Sequence, residues 1–179
     1  MPNSPSRMSR WLARGQELLR SAEANMSWYR VAMLVIVLTG IVFRTRGYWV
    51  RPIGLWLDEA WWAVRMLAWP VEKLKFRPVG YMLATRLIAN IYCSEQTVRL
   101  LSWLPGVVSV PVAVYVASRL FKQSWARLLT VFVVAFHPEL IDMSREFKPY
   151  ELEFCAHLGV LALLLRYQET GAKRWLYAL

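Results

Sequence analysis

Histidine and cysteine are scarce in this chain of 179 residues: two of each. Cys93 and Cys155 lie far apart in the sequence, each among apolar neighbours. They have neither the paired spacing of a metal ligand set nor the number needed for a disulfide framework. Two buried structural thiols are the expectation. His137 and His157 likewise form no recognisable ligand set, so a hydrogen-bonded packing role is expected for both. Acidic residues are few as well, 12 against 22 Lys and Arg, which leaves a net charge of +10. There is no internal repeat and no low-complexity tract. No secretory leader is expected: about 30 residues precede the first apolar run, and no small-residue cleavage site follows it.

The composition is 57% hydrophobic with 10 Trp, against roughly 45–50% apolar residues in an ordinary soluble domain. The apolar residues are clustered. LLSWLPGVVSVPVAVYVAS, residues 100–118, holds no charge, and a membrane-crossing helix needs roughly 20 such residues. VAMLVIVLTGIVF, residues 31–43, is shorter, but Trp28, Tyr29 and Arg30 extend it in the manner of an aromatic belt with snorkelling cations. An integral membrane protein is expected. A basic patch that binds nucleic acid would need a soluble domain to carry it, so nucleic acid is not an expected partner.

Four spans are expected, near 28–43, 98–118, 125–141 and 150–166. The last two are weak on their own, since LLTVFVVAF is short and Glu139 and His157 interrupt its surroundings. Residues 8–24 fit an amphipathic helix with Trp11, Leu12, Leu18 and Leu19 set against Arg7, Arg10, Arg14 and Arg20. It would either rest on an anionic membrane surface or form a solvated extension. Residues 44–97 are too polar to cross and contain two amphipathic pieces, near 57–69 and 78–93. The second begins after Pro78, a natural helix start. Both are expected to lie along the interface. The short basic loops RLFKQSWAR and RYQETGAKRW, together with the N-terminus, mark the cytoplasmic side. The domain reading is a cytoplasmic segment 1–27 and a transmembrane domain 28–179.

That topology puts two polar clusters on the outer face. One is Asp58 and Glu59, inside GLWLDEAWWAVRMLAWP. The other is HPELIDMSREFKPYELE, with Glu139, Asp142, Arg145, Glu146, Lys148, Tyr150, Glu151 and Glu153. Ionisable groups at membrane depth are functional candidates. Arg145 and Lys148 suit a phosphate through charge-assisted hydrogen bonds. Asp58 suits a general base toward a hydroxyl. Bland readings stand beside these. The 145–148 group also fits a solvated interfacial turn, and Asp58 and Glu59 also fit a helix start favoured by the macrodipole.

These segments resemble the bacterial GT-C glycosyltransferases of the dolichyl-phosphate-mannose-protein mannosyltransferase-like and aminoarabinose-transferase-like group. The resemblance runs in order through Arg44 followed by LWLDEAWWA, FRPVGYMLATRLIANIYCSEQTVRLLSWLPGVVSV, VYVASRLF and HPELIDMSREFKPYELEFCAHLGVLALLLRY. It covers nearly all of residues 28–179. It implies an all-α polytopic fold with about four transmembrane helices here, plus interfacial helices in the first external loop. It also implies transfer of a sugar from a polyprenyl-phosphate donor to an acceptor at the periplasmic or outer face of the inner membrane. Asp58 would be the catalytic base and Glu59 its orienting neighbour. Arg145, Glu146, Lys148 and Tyr150 would line the same cavity as substrate- and phosphate-binding residues. Some members of that group hold a divalent metal near the site; no metal ligands are assigned here. Members also continue for many more helices, and KRWLYAL looks like the start of a fifth span cut short. A piece of a longer enzyme, half of a split enzyme and a non-catalytic subunit of a larger membrane complex are the readings this leaves. For the last, the small residues Gly106, Ser109, Ala113, Ala117 and Ser118 would serve helix packing.

Overall fold

A computed structural model describes residues 7–49, 57–68 and 78–172. The chain divides into two units, 1–35 and 36–179. Seven α-helices and no strand occur among the described residues: α1 (Arg7–Trp49), α2 (Leu57–Ala68), α3 (Val79–Ile91), α4 (Glu95–Leu120), α5 (Ser124–Phe136), α6 (Pro138–Met143) and α7 (Tyr150–Thr170). The expected amphipathic segment 8–24 and the first span belong to one helix. No proline or glycine pair falls at their junction to break it.

Two helical stretches are long and apolar enough to cross a membrane, Ser27–Arg46 and Glu95–Leu120. The third and fourth expected spans differ. α5 has 13 residues, about 20 Å at 1.5 Å per residue, against a hydrocarbon core of roughly 30 Å. The run is cut at His137, where α6 starts with Pro138 and so lacks the N–H that would continue the ladder. α7 is long enough at 21 residues, but Glu151, Glu153, Arg166 and Glu169 lie on it.

In the unit 36–179, α4 is the central helix and packs against α3, α5 and α7. Cross-contacts set the directions. Ser102 Oγ donates to the Lys148 carbonyl at 2.7 Å, Ser109 meets Glu151, and Arg119 pairs with Glu169 at 2.9 Å. The residue numbers rise together, so α7 runs parallel to α4. A three-residue turn reverses α5 against both, and Arg127 Nε donates to the Phe121 carbonyl at 2.7 Å across it. The last turn of α1, the start of α4 and the end of α5 therefore share one end of the bundle. Arg44, fully buried, donates to the Ala135 and Val134 carbonyls at 2.7 and 2.8 Å. These carbonyls are in the last turn of α5, where orphan acceptors and the negative dipole end favour a cation.

The small residues of α4 are used inside this chain. Gly106, Ser109, Ala113 and Ala117 are all buried. A Cβ at Gly106 would stand 2.5 Å from the Ser144 Cβ and 3.1 Å from the Glu151 Cγ, so only glycine lets α4 approach the 144–151 segment this closely. The expected docking stripe for a neighbouring subunit is thus an internal contact, apart from the partly exposed Ser118.

At the end that carries the polar clusters, α2 and α3 fold against α4. α2 starts with Asp58 and Glu59 in its first turn, which the helix dipole favours. α3 starts after Pro78, whose carbonyl accepts from Met82 N–H at 3.1 Å. α4 is capped by Ser94, whose hydroxyl accepts from Thr97 N–H at 3.1 Å. Ala63, Met66, Tyr81, Met82, Ala89, Val98 and Phe147 form one buried cluster. Burying Met66 and Phe147 completely contributes roughly 1.5–3 kcal/mol each. This cluster is the floor on which the charged groups stand.

Candidate functional site

Successive helix positions are about 100° apart. Asp58 and Glu59 therefore cannot face the same way, and their environments diverge sharply. Glu59 is 1% exposed. It points into the packing between α2 and α4. Its Oε2 accepts from Arg99 Nη2 at 2.8 Å, and its Oε1 accepts from the Phe147 N–H. Arg99 in turn donates from Nη1 to Glu95 Oε1 at 2.7 Å. One side chain thus joins α2, α4 and the turn before α7.

That turn is held from below as well. Ser102 binds the Lys148 carbonyl, and Tyr81 OH lies 2.8 Å from Ser102 Oγ. Tyr81 also packs beside Phe147, ring centroids 5.6 Å apart. Burial pushes the Tyr81 phenol well above its ordinary range, although the Ser102 hydrogen bond acts the other way. It stays a neutral hydroxyl at any working pH.

With Phe147 fixed, Lys148 projects over the first turn of α2. Its Nζ lies 3.0 Å from Glu146 Oε2 and 3.2 Å from Asp58 Oδ2. Asp58 is exposed. The Lys148 hydrogen bond holds its carboxyl below the usual range. The Glu146 hydrogen bond, followed by Asp58, raises the Lys148 ammonium. The sign of the linkage is clear for each. Asp58 contributes its pairing above the ordinary carboxylate value and loses it as pH falls through the lowered one. Lys148 contributes below the ordinary lysine value and loses it as pH rises through the raised one. Both are therefore charged between about pH 4 and pH 10. Lys148→Met is expected to raise the Asp58 carboxyl back toward the ordinary carboxylate range, because the largest cause of its lowering is removed. NMR titration of side-chain-labelled aspartate reads this directly; an unmoved Asp58 midpoint would show that the pair does not form in solution.

The remaining residues expected at the site are placed as follows. Arg145 turns toward α1: its Nη2 donates to the Phe43 carbonyl at 2.8 Å, and its Nη1 lies 3.7 Å from Asp142 Oδ1. Tyr150 is half exposed at the first position of α7. Asp58, Glu146 and Lys148 come together, Glu59 lies behind them, and Arg145 faces a different helix. Sequence reasoning did not single out Arg99, Ser102 or Tyr81. Arg99 had a legible signal, since Glu95 four residues before it is the favourable order for a helical ion pair. Ser102 and Tyr81 gave none, because a hydroxyl in an apolar run reads equally as packing.

The divalent metal implied by the resemblance does not fit these residues. No three His, Cys, Asp or Glu side chains converge among the described residues, and the Lys148 ammonium occupies the place between Asp58 and Glu146 that a cation would take. His157 Nδ1 lies 2.7 Å from the Glu153 carbonyl one turn earlier, a bond within its own helix.

Comparison with known protein families, with curated proteins and with solved structures finds no match. The chemistry of the site is therefore argued from its own geometry. An ionised, exposed carboxylate beside a fixed ammonium can take a proton from a hydroxyl, while the ammonium attracts an anionic leaving group.

Proposed function

We propose that this chain is a membrane-embedded glycosyltransferase of GT-C type, or the part of one that carries its acidic catalytic loop. It moves a sugar from a polyprenyl-phosphate donor to an acceptor hydroxyl at the outer face of the bacterial inner membrane. The observation that carries this reading is the pairing of exposed Asp58 with Lys148 at 3.2 Å, on a rigid floor that also holds buried Glu59.

In this reading the N-terminus is cytoplasmic, and the end of the bundle bearing α2, α3 and the 144–149 turn is periplasmic. α7 accompanies the two long apolar helices through the bilayer, and α5, too short to cross it alone, packs against α4 within it. Their outward residues Leu129, Phe132, Val133, Val160 and Leu164 are exposed and suit lipid contact. Asp58 takes the proton of the acceptor hydroxyl. The acceptor oxygen forms a bond to the anomeric carbon as the bond from that carbon to the phosphate oxygen breaks. The lipid phosphate leaves with that electron pair, and the anomeric centre inverts. Lys148, drawn between two carboxylates, is positioned to receive the phosphate charge as Asp58 becomes neutral. Glu146 and Tyr150 stand as further candidates near this pair, whereas Arg145 is turned to the α1 backbone.

The test is transfer itself. The full chain, alone and in membranes carrying the products of adjoining reading frames, is supplied with radiolabelled polyprenyl-phosphate mannose, glucose and aminoarabinose. Label appearing in lipid, glycan or protein acceptors supports the reading. Stoichiometric co-purification with other membrane proteins and no turnover of any donor would favour a non-catalytic subunit instead.

A further inference from the structure

The turn that carries Lys148 is tied to three helices through its backbone and its anchor. Phe147 is fully buried, and its N–H donates to Glu59 of α2. The Lys148 N–H donates to the Glu146 carbonyl at 2.9 Å. The Lys148 carbonyl accepts from Ser102 Oγ of α4 at 2.7 Å, and Tyr81 OH of α3 lies 2.8 Å from the same Oγ. Proton counting gives the direction of this last bond. A serine hydroxyl carries one proton, and Ser102 gives it to the Lys148 carbonyl. Tyr81 must therefore be the donor to Ser102. It keeps that proton, because burial raises its phenol. Ser102 is wholly buried and Tyr81 is 4% exposed, so neither hydroxyl serves solvent.

We propose that Tyr81 and Ser102 are positioning residues for the Asp58–Lys148 pair. Hydrogen bonds directed from Tyr81 to Ser102 to the Lys148 carbonyl fix the backbone from which the ammonium is aimed. A lysine stem is flexible and carries its charge on four carbons. Here Nζ sits between two carboxylates, Glu146 at 3.0 Å and Asp58 at 3.2 Å. The two differ in what they are attached to. Glu146 belongs to the same turn as Lys148 and moves with it. Asp58 belongs to α2 and stays behind when the turn shifts. Loss of the hydroxyl tether therefore shows at Asp58, while the contact with Glu146 survives. Hydrogen bonds in a row polarise one another, so removing the first donor weakens the second bond as well. Two hydroxyls that served packing alone would have no selective effect on Asp58.

The aiming of Lys148 is a matter of geometry, and its catalytic value rests on the glycosyl-transfer reading. In that reading Lys148 meets the departing phosphate while Asp58 accepts the proton, so the two must hold their places together. A misplacement of about 1 Å caused by a remote change can cost on the order of a hundredfold in rate. Tyr81 and Ser102 lie beneath the turn and act through Lys148.

The experiment uses the full chain in lipid nanodiscs. The chain contains two aspartates, Asp58 and Asp142, so side-chain-labelled aspartate gives two NMR titrations. Asp142 faces Arg145 and is the internal control. Ser102→Ala is expected to raise the Asp58 midpoint toward the ordinary carboxylate range and to leave Asp142 unmoved. Tyr81→Phe keeps the ring beside Phe147 and removes the donor, so it should raise the Asp58 midpoint by less. In a Lys148→Met background, Ser102→Ala should add nothing, because its effect runs through the ammonium. Where Ser102→Ala fails to fold, Tyr81→Phe decides alone. An Asp58 midpoint unmoved in the folded variants would overturn the proposal and leave the hydroxyls as packing groups. Equal movement of Asp58 and Asp142 would report general loosening and overturn it too. So would an Asp58 midpoint that still responds to Ser102→Ala once Lys148 is gone. Transfer from the active donor should fall about tenfold or more in Ser102→Ala, with a smaller change in KM. The expected midpoints in a chain that transfers no sugar would support the positioning role and count against the transfer reading alone.

Discussion

Glu59→Ala is expected to destabilise the chain by about 3–5 kcal/mol, the cost of leaving one partner of a buried ion pair uncompensated. Glu59 is 1% exposed and the Arg99 side chain 10%, so water cannot take the place of the lost carboxylate. The Phe147 N–H loses its acceptor at the same time, and an orphaned buried donor costs about 1–3 kcal/mol by itself. The two losses act on the same turn and will not add in full. Glu95 softens the effect, because it still pairs with Arg99. Denaturant unfolding of the full chain in micelles checks this. A shift below about 1 kcal/mol would show that Glu59 does not hold α2 to α4. The double variant Glu59→Leu/Arg99→Met should regain part of the loss, since a buried ion pair replaced by apolar groups of similar volume is often neutral.

Asp58→Asn is expected to act in the opposite way. It keeps the size of the side chain and removes its basicity. Loss of a positioned general base costs on the order of 10²–10⁴ in rate. Stability should change little, because Asp58 is exposed and its partner Lys148 keeps Glu146 at 3.0 Å. The wild-type rate should depend on an acidic limb below the ordinary carboxylate range, since Lys148 lowers the Asp58 pKa, and the Asn variant should lack that limb. A pH–rate profile of sugar transfer reads both features. An Asn variant with wild-type rate and an intact acidic limb would remove Asp58 from the chemistry.

Much of the helical frame could be read from pattern. Pro78 and the acidic start at Asp58 and Glu59 marked α3 and α2, and the uncharged run at 100–118 marked α4. Counting four apolar runs put 44–97 and the segment around 139–149 on one side; in the structure Asp58 of α2 and Lys148 of the turn before α7 do meet, although only two helical stretches are long and apolar enough to cross a membrane. The boundaries at α5 did not: the apolar run ends where Pro138 denies the ladder a donor, a local event that mean hydropathy averages away. The sequence marked Asp58, Glu59, Glu146 and Lys148 as neighbours at one end of the bundle, but not Arg99, Ser102 or Tyr81, nor how differently the marked residues are placed. Asp58 and Glu59 look equivalent in a string, and only the 100° step between them, set against Arg99 forty residues later, separates an exposed carboxylate from a buried tie. Arg145 and Lys148 look equally suited to phosphate, yet one faces the α1 backbone and the other faces Asp58. Such assignments depend on contacts across long sequence separations, and periodicity carries no information about them.

The division of labour between two adjacent carboxylates is the centre of this account. The measurement that tests it most directly is a side-by-side comparison of Asp58→Asn and Glu59→Gln in one membrane preparation, each scored for unfolding midpoint and for transfer from the active polyprenyl-phosphate donor. The account predicts that Asp58→Asn keeps the wild-type midpoint and loses transfer by at least about a hundredfold. It predicts that Glu59→Gln lowers the midpoint and keeps an acidic limb in whatever transfer remains. Full transfer activity in folded Asp58→Asn would contradict it.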